Sequence, residues 1–292
     1  MTALYGTVEL GGTKTRCAVG EESGEISDVL TIPTEEPEIT LGGIIAHLQA
    51  YPIQTVGVAC FGPVELRPDH PEYGHVTRTP KPGWSGADVV GALLDGLRVP
   101  VAFDTDVNAA ALGELTWGAG MGHDPVVYVT VGTGIGGGLV IGGRPHHGLG
   151  HPEMGHMIAV RDSRDPFAGT CPFHGDCIEG LASGTAIEER FGMPGASLDG
   201  GHLAEAIRLE AFYLSQLMRD IVYAIAPSRI IIGGGVMNLD GLFDALVSEV
   251  PRQLAGYPGL PEHQGDLLAA PGLGDLSGLA GGLALAVLES AG

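Results

Sequence analysis

Apolar residues along the chain follow two different spacings, and the two spacings alternate from one end to the other. Short apolar runs predict strands, whereas longer segments with apolar residues three and four positions apart predict helices. The predicted strands are 55–60, 101–103, 126–131, 138–141 and 229–232, and the predicted helices are 39–50, 86–97, 108–117, 203–225, 239–254 and 276–289. This alternation is typical of an α/β protein.

The first segment differs from the rest because residues 3–20 contain two short apolar runs joined by Gly11 and Gly12. Two strands around a tight glycine turn predict a hairpin. A Walker A loop, by contrast, joins a strand to a helix. The pattern therefore excludes a Walker A loop at this position.

The hairpin pattern of residues 6–14 recurs approximately at residues 128–136, where a strand again ends in a Gly/Thr turn. Such an internal repeat predicts two similar lobes. Glycines and a proline at 116–125 mark the expected boundary. The predicted lobes are residues 1–117, with a final helix at about 275–292 packing back on them, and residues 118–274.

The composition of the chain excludes some classes of protein and of partner. The 292 residues are 44% hydrophobic and 17% charged, which excludes a disordered chain. The net charge of −21 would stay negative even if all 11 histidines were protonated. Such a field disfavours nucleic acids and anionic membranes as partners. No run of about 20 apolar residues and no signal-peptide pattern is present, so we expect a cytoplasmic protein.

Three glycine clusters offer backbone N–H groups to a ligand. The turn at residues 11–15 adds hydroxyls and one cation, which suits a nucleotide phosphate or a transferring phosphoryl group. The cluster at residues 132–138 offers the same without the cation. Each could be an ordinary hairpin turn, but their pairing favours phosphate binding. The third cluster, at 231–236, could accept a flat adenine or could be a strand-to-helix turn.

A short loop contains Cys171, His174 and Cys177, and His156 lies upstream as a fourth candidate ligand. Two thiolates and two imidazoles suit the closed tetrahedral shell of structural Zn²⁺. A disulfide between the cysteines is disfavoured by the expected cytoplasmic location. Two free thiols would leave His174 without an explanation. We therefore predict that these four residues bind zinc.

Taken in this order, the glycine clusters resemble those of the actin-like ATPases and sugar kinases, and the chain resembles the ROK family of sugar kinases from Gly6 to the final helix. The resemblance implies a two-lobed α/β fold of the actin-like, ribonuclease H-like type, with a ligand cleft between the lobes. The nucleotide-binding residues that it implies are Gly11, Gly12, Thr13, Lys14, Thr133, Gly134, Thr185, Gly233, Gly234, Gly235 and Val236.

The same resemblance assigns the catalytic aspartate to Asp106, in a stretch where an apolar strand enters an alanine-rich helix. From the residues alone, Asp104 or Asp106 could equally be a helix N-cap. Thr105 stands where the family often has a sugar-binding asparagine. The sugar-binding residues that the resemblance implies are Gly62, Thr105, Asp106, Glu153, His156 and Glu179.

Two further segments, 60–63 and 73–84, resemble the fructokinase branch of the family. That branch implies ATP- and Mg²⁺-dependent phosphorylation of D-fructose to fructose 6-phosphate, with Asp106 as general base, a structural zinc and a homodimer. The alternatives are a broader hexokinase acting on glucose or mannose and a sugar-sensing regulator without catalysis. Regulators of this family carry an added helix-turn-helix before the hairpin, which here begins almost at Met1.

Overall fold

The computed structural model describes residues 2–257 and 266–291. Its strands are β1 Leu4–Leu10, β2 Lys14–Gly20, β3 Ile26–Pro33, β4 Ile53–Cys60, β5 Val101–Thr105, β6 Val126–Val131, β7 Ile135–Ile141, β8 Arg144–Pro145, β9 Arg229–Gly233 and β10 Leu268–Ala269. Its helices are α1 Pro37–Leu48, α2 Val89–Leu97, α3 Asp106–Trp117, α4 Ile178–Ala182, α5 Gly184–Phe191, α6 Gly200–Ile225, α7 Leu242–Leu254 and α8 Ser277–Ser290. Met1 and Gly292, which belong to the predicted first lobe, and residues 258–265 of the predicted second lobe lie outside the described residues.

All the predicted helices and strands are confirmed, with ends that move by three residues at most. The sequence pattern missed three strands (β3, β8 and β10) and two helices (α4 and α5). β3 was missed because it is an edge strand in which most residues are at least partly exposed. β8, β10 and α4 are too short to show a period.

Two five-stranded sheets organise the chain, in the orders β3-β2-β1-β4-β5 and β10-β9-β6-β7-β8. The predicted first hairpin is confirmed, since β1 and β2 pair antiparallel from Leu10 and Thr15 outward. β1, β4 and β5 are mutually parallel, as are β6, β9 and β10. Each sheet therefore combines three strands that are consecutive in the sequence with parallel strands reached through helices. Among the described residues, none of the helices has both the length and the apolar character that crossing a lipid bilayer requires.

The chain divides into two compact units. The first unit contains the residues up to Gly122, Gly138–Pro152 and the residues from Gly272 onward, and the second contains His123–Gly137 and Glu153–Pro271. Residues 138–152 thus belong to the first unit, whereas the sequence placed them in the second lobe. The chain passes between the units inside β7, between Gly137 and Gly138 of a run of three glycines, whereas the sequence placed the boundary at 116–125.

Buried glycines let α8 lie directly against the first sheet and against α3. A Cβ on Gly57 of β4 would lie 1.9 Å from the carbonyl oxygen of Gly282, and one on Gly281 would lie 2.1 Å from that of Ala109. Thr7 of β1 donates its hydroxyl hydrogen to the carbonyl of Leu279 at 2.5 Å. Part of the high glycine content of the chain, 49 of 292 residues, thus serves backbone-to-backbone packing.

The Gly57→Ala substitution tests this packing. Because the new methyl group would overlap backbone that cannot rotate away, we expect the free energy of unfolding to fall by about 3 kcal/mol or more. Gly42→Ala is the control, since Gly42 is exposed within α1 and a Cβ there meets nothing within 4 Å. It should stabilise the protein by about 0.5–1 kcal/mol. Thermal and urea unfolding measure both effects, and equal stability of the two variants would contradict the packing analysis.

Candidate active site

Three parallel strands of the first unit end at the same level. Leu10 is in register with Cys60, and Cys60 is in register with Thr105. The N–H of Phe61 donates to the carbonyl of Leu10 at 2.8 Å, which extends the pairing by one residue. Adjacent strands lie about 4.8 Å apart. The register therefore brings the turn after Leu10, the Phe61–Gly62 segment and Asp106 to one edge of the sheet.

The turn after Leu10 is closed by a hydrogen bond from the N–H of Gly11 to the carbonyl of Lys14 at 3.2 Å. Gly11 is required there, because a Cβ would lie 2.7 Å from that same carbonyl oxygen. Gly12, Thr13 and Lys14 are exposed. The turn thus presents a hydroxyl and an ammonium to solvent, as a phosphate-binding turn must.

Segment 73–84 supports this edge of the sheet through packing and hydrogen bonds. Trp84 is fully buried, packs edge-on against Phe61 with ring centroids 5.3 Å apart, and donates its indole N–H to the carbonyl of Glu35 at 2.8 Å. Lys81 donates from Nζ to the carbonyl of Thr34 at 2.7 Å, and Thr34 in turn donates to the carbonyl of Gly11. Trp84 is therefore a packing residue that supports the segment containing Gly62.

Asp106 is the first residue of α3 and is half-buried. The N-cap is Thr105, whose hydroxyl oxygen accepts from the N–H of Asn108 at 3.1 Å. Asp106 Oδ1 accepts from the N–H of Val107 at 2.9 Å. The capping role is therefore taken by Thr105, which is only 2% exposed. The Asp106 carboxylate lies at the positive end of the helix, where the ionised form is stabilised.

The buried Asp104, two residues before Asp106, is the centre of a hydrogen-bonded cluster that reaches the exposed His147. Its Oδ1 accepts from the N–H of Thr105 at 2.7 Å and from Nδ2 of Asn108 at 2.8 Å, and its Oδ2 lies 2.7 Å from Nε2 of His147. Asn108 Oδ1 accepts from the N–H of Leu139. The hydrogen bond with Asp104 raises the pKa of His147. The cluster ties the loop after β8 to the start of α3.

The second unit has a comparable edge where β6 and β9 end. The N–H of Gly132 donates to the carbonyl of Gly134 at 2.9 Å, and the N–H of Gly184 donates to the carbonyl of Gly132 at 2.7 Å. Thr185 donates its hydroxyl hydrogen to the carbonyl of Thr133 at 2.9 Å. Thr133 and the start of α5 are thereby held together.

A cavity of about 520 Å³ opens beside this edge. Its lining residues are Gly132, Thr133, Gly184, Thr185, Ile187, Glu188, Pro194, Gly195, Ala196, Gly235, Val236, Asn238 and Leu239. The predicted nucleotide-binding residues that line it are Thr133, Thr185, Gly235 and Val236, whereas Gly134, Gly233 and Gly234 of the same unit and the four residues Gly11 to Lys14 of the first unit do not. Gly233 ends β9, and Gly234 adopts a φ of +96° against the backbone of Val131. Gly233 and Gly234 therefore contribute to this region through their backbone conformation and not by lining the cavity.

Glu179 of α4 joins the turn at Gly134 to the candidate sugar residues. Its Oε2 accepts from the N–H of Ile135 at 2.9 Å, and its Oε1 lies 4.0 Å from Nδ1 of His156. The N–H of His156 donates to the carbonyl of Glu153, which is exposed. Among the predicted sugar residues of this unit, the structure thus places His156 between Glu153 and Glu179.

His156, Cys171, His174 and Cys177 form one cluster whose candidate ligand atoms all lie within 4.8 Å of one another. Sγ of Cys171 is 3.7 Å from Nδ1 of both histidines, and Sγ of Cys177 is 3.7 Å from Nδ1 of His156. A tetrahedral ion with Zn–S and Zn–N bonds of about 2.3 and 2.0 Å separates sulfur and nitrogen by about 3.6 Å. The cluster therefore has the dimensions of a tetrahedral metal site.

The two cysteines of the cluster are free thiols, so the alternative of a Cys171–Cys177 disulfide is excluded. Burial raises the pKa of Cys177 to about 11. A protonated thiol is a poor nucleophile, and a thiol must lose its proton to bind a metal ion, so metal binding at this cluster would release protons. The donor set thus fits a metal ion better than it fits thiol chemistry.

Comparison with known proteins identifies the family. Residues 5–289 match the ROK family. The chain is 43% identical over 295 aligned residues to a fructokinase of Zymomonas mobilis subsp. mobilis, covering 97% of this chain and 96% of that one. It is 38% identical to a fructokinase of Pediococcus pentosaceus, covering 97% of each. The chain belongs to the ROK family.

A solved ROK structure gives the same fold. A ROK family glucokinase from Streptomyces griseus, determined in complex with glucose and AMPPNP, superimposes with a TM-score of 0.77 at 27% identity and covers 98% of this chain and 100% of that one. The two-lobed actin-like sugar kinase fold expected for a ROK protein is therefore confirmed.

Sequence reasoning missed three residues that the structure places at the candidate sites of this ROK protein. His147 contacts Asp104 across 43 positions of the chain, and Glu188 and Asn238 line the cavity. A histidine close to the candidate sugar motif was a usable signal for the first. No sequence signal marked Glu188 and Asn238, because polar residues on exposed helices and turns are common.

The His147–Asp104 pair predicts a pH dependence of stability. Because folding raises the pKa of His147, the ion pair stabilises the protein fully below about pH 6.5 and loses its effect as the pH rises through the higher folded-state value. His147→Gln keeps a hydrogen-bond donor but no charge. We expect its melting temperature to be about 1–3 °C below wild type at about pH 6 and equal to it at about pH 9.

The neighbouring His146 supplies the control, because it is exposed and no hydrogen bond of its side chain joins it to Asp104. His146→Gln should track the wild type at both pH values. A His147→Gln deficit that is the same at both values would contradict the ion pair.

Proposed function

We propose that this ROK protein transfers the γ-phosphoryl group of ATP to the O6 hydroxyl of D-fructose, giving fructose 6-phosphate and ADP. The observation that carries the proposal is the identity of 38–43% with two fructokinases over 97% of the chain. The geometry of the sheet edge at Asp106 supplies a chemical reason. An ATP-dependent hexose kinase needs a carboxylate beside the acceptor hydroxyl and backbone donors for the phosphates.

In this proposal Asp106 is the general base. The O6 oxygen attacks the γ-phosphorus while the bond from phosphorus to the β,γ-bridging oxygen breaks, and the O6 proton passes to the Asp106 carboxylate. A loose transition state needs little basicity from that carboxylate, so its main tasks are to orient O6 and to accept the proton late. The N-terminus of α3 keeps it ionised, and the Asp104 cluster fixes the start of that helix.

Lys14 is the proposed phosphate contact of the first unit. It is exposed on the Gly11 turn, and no other cation lies in either glycine turn. Thr133 and Thr185, held together by their hydrogen bond, line the cavity that we assign to the nucleotide. ATP use is supported by the AMPPNP complex of the Streptomyces griseus relative.

For the sugar, we propose contacts from Gly62, Asp106, Glu153, His156 and Glu179. Carboxylates accept hydrogen bonds from adjacent hydroxyls, which is the usual way in which proteins recognise polyols. Thr105 has a different part in this proposal. Because its hydroxyl oxygen caps α3 and the residue is buried, it positions Asp106 rather than replacing the missing asparagine as a main sugar contact.

The metal in our proposal is Zn²⁺, bound by His156, Cys171, His174 and Cys177. When bound, it would cross-link the loop between Glu153 and Glu179 and hold these carboxylates in place. His156 would then keep Nε2 free to donate to a sugar hydroxyl. The proposal also includes Mg²⁺ bound to the nucleotide phosphates, a homodimer and a cytoplasmic location, all three carried over from the family resemblance.

An ADP-release assay over a panel of hexoses tests the activity. We expect kcat/KM for fructose to exceed that for glucose and mannose by roughly ten- to a hundredfold, because one altered hydroxyl contact costs about 1–3 kcal/mol. Asp106→Asn should lower kcat by at least about 100-fold while fructose affinity, measured by titration calorimetry, stays close to wild type.

Glu35→Gln, an exposed substitution that leaves the backbone carbonyl acceptor in place, is the control for the Asp106 variant and should have wild-type kcat. Equal kcat/KM for glucose and fructose would overturn the fructokinase assignment. It would support the broader hexokinase, which the glucose complex of the Streptomyces griseus relative favours. Wild-type turnover in the Asp106→Asn variant would show that Asp106 is not the general base. No turnover with any hexose would favour the sugar-sensing regulator.

Metal analysis tests the zinc site. We expect about one equivalent of zinc per chain, and Cys177→Ser should lose it, because a serine hydroxyl is a poor ligand for Zn²⁺. Cys17→Ser is the matched control, since Cys17 is equally buried in β2 and lies outside the cluster. It should keep the metal. Untreated protein without zinc, or a Cys177→Ser variant that retains a full equivalent, would overturn this assignment.

A further inference from the structure

Helices α4 and α5 of the second unit meet at a single residue. Ser183 ends α4 and is the N-cap of α5, with extended backbone and a hydroxyl oxygen that accepts from the N–H of Ala186 at 3.2 Å. α4 carries the candidate sugar residue Glu179, and α5 carries the candidate nucleotide residue Thr185. The angle between the two helices therefore determines how both of these side chains are presented.

Arg190, in the last turn of α5, connects the two helices a second time. Its Nη2 donates to the carbonyl of Leu181 in α4 at 2.8 Å and to Oδ2 of Asp165 at 3.1 Å. Its guanidinium carbon lies 4.5 Å from the ring centroid of Phe167. The side chains of Arg190 and Asp165 are only 7% and 2% exposed. One buried nitrogen thus joins α4 and α5 to the segment that precedes the metal cluster.

Asp165 is a fixed anchor for Arg190. Its Oδ2 also accepts from the hydroxyl of Tyr213 in α6 at 2.8 Å. Its carbonyl accepts from Arg161 at 3.1 Å, and Arg161 in turn pairs at 3.2 Å with Asp176 in the loop of the metal cluster. Arg190 therefore holds the junction of α4 and α5 against a residue that is itself held by α6 and linked to the metal loop.

The surroundings of Arg190 are poorly suited to a purely stabilising role. Its Nε and Nη1 and both carboxyl oxygens of the nearby Glu210 are buried, and none has a hydrogen-bond partner among the described residues. Burial raises the pKa of Glu210, which favours its neutral form. Each unpaired buried polar group costs about 1–3 kcal/mol, and apolar residues often replace a buried ion pair without loss of stability. Positioning of the helix junction is a better explanation for this arginine.

We propose that Arg190 is a positioning residue that fixes the angle between α4 and α5 and thereby presents Glu179 to the sugar and Thr185 to the nucleotide. This inference rests on the proposed hexose kinase function and adds to it a residue that does not line the nucleotide cavity. Because Asp106 belongs to the first unit, Arg190 should affect the binding of both ligands more than the phosphoryl transfer itself.

Arg190→Lys tests the proposal, because lysine keeps a charge beside Asp165 but has no planar guanidinium to stack on Phe167. We expect titration calorimetry to show about tenfold weaker binding of both ADP and fructose, each titrated alone, since each loses one well-placed hydrogen bond. KM for ATP and for fructose should rise by a similar factor, while kcat stays within about twofold of wild type. A merely structural role would lower the melting temperature without this split.

Arg208→Lys is the matched control. Arg208 pairs with Asp162, which precedes the metal cluster as Asp165 does, but its side-chain hydrogen bonds go to Asp162 and Glu205, outside α4 and α5. Its affinities for ADP and fructose should equal those of wild type. A double variant, Arg190→Met with Asp165→Asn, removes both charges of the buried pair. It should fold and show the same loss for both ligands, so the test does not depend on folding of the lysine variant.

Wild-type affinities in Arg190→Lys or in the double variant would overturn the inference. A loss confined to one ligand would do the same, because one angle presents both side chains, and so would an equal loss in Arg208→Lys. The test is separable from the kinase proposal. Wild type that binds both ligands but phosphorylates no hexose would overturn that proposal alone, whereas wild type that binds neither ligand would overturn both.

Discussion

The register of β1, β4 and β5 is the constraint on which the candidate catalytic edge of the first unit depends. Leu10, Cys60 and Thr105 end their strands side by side. A shift of one residue in either pairing would move a turn by about 3.3 Å and would point its side chains to the opposite face. The Gly11 turn, Gly62 and Asp106 thus share an edge because the strands end together, and close glycine contacts join α8 to β4.

Much of the fold was readable from the sequence because it is encoded locally. The Gly11–Gly12 turn, the alanine-rich start of α3 and the apolar run of β6 each carry their own signal in consecutive residues. The metal cluster was also readable, since three of its four members lie within seven residues of the chain. Its fourth member, His156, lies 15 residues upstream of Cys171 and was predicted because an imidazole completes a set of two thiolates and two imidazoles.

The remaining site residues could not be read because their roles arise from contacts between distant segments. His147 acquires its role only when the chain brings it to Asp104. Glu179 was predicted through the family resemblance, but its hydrogen bond from the N–H of Ile135 was not. Thr105 shows the opposite case, a purely local contact, since its hydroxyl oxygen caps α3, a role that the sequence had offered to Asp104 or Asp106. Sequence patterns report which groups are present, whereas hydrogen-bond partners determine which of them remain available to a ligand.

The position of α8 has a consequence for folding during synthesis. This helix packs against β1, β4 and α3, yet it follows the whole second unit in the chain. A ribosome that has made β1 to α3 has therefore made a sheet with one face still uncovered, and about 160 further residues must emerge before the covering helix arrives. During that interval the exposed apolar face of the nascent sheet is a natural substrate for chaperones, whereas the second unit can complete its core earlier.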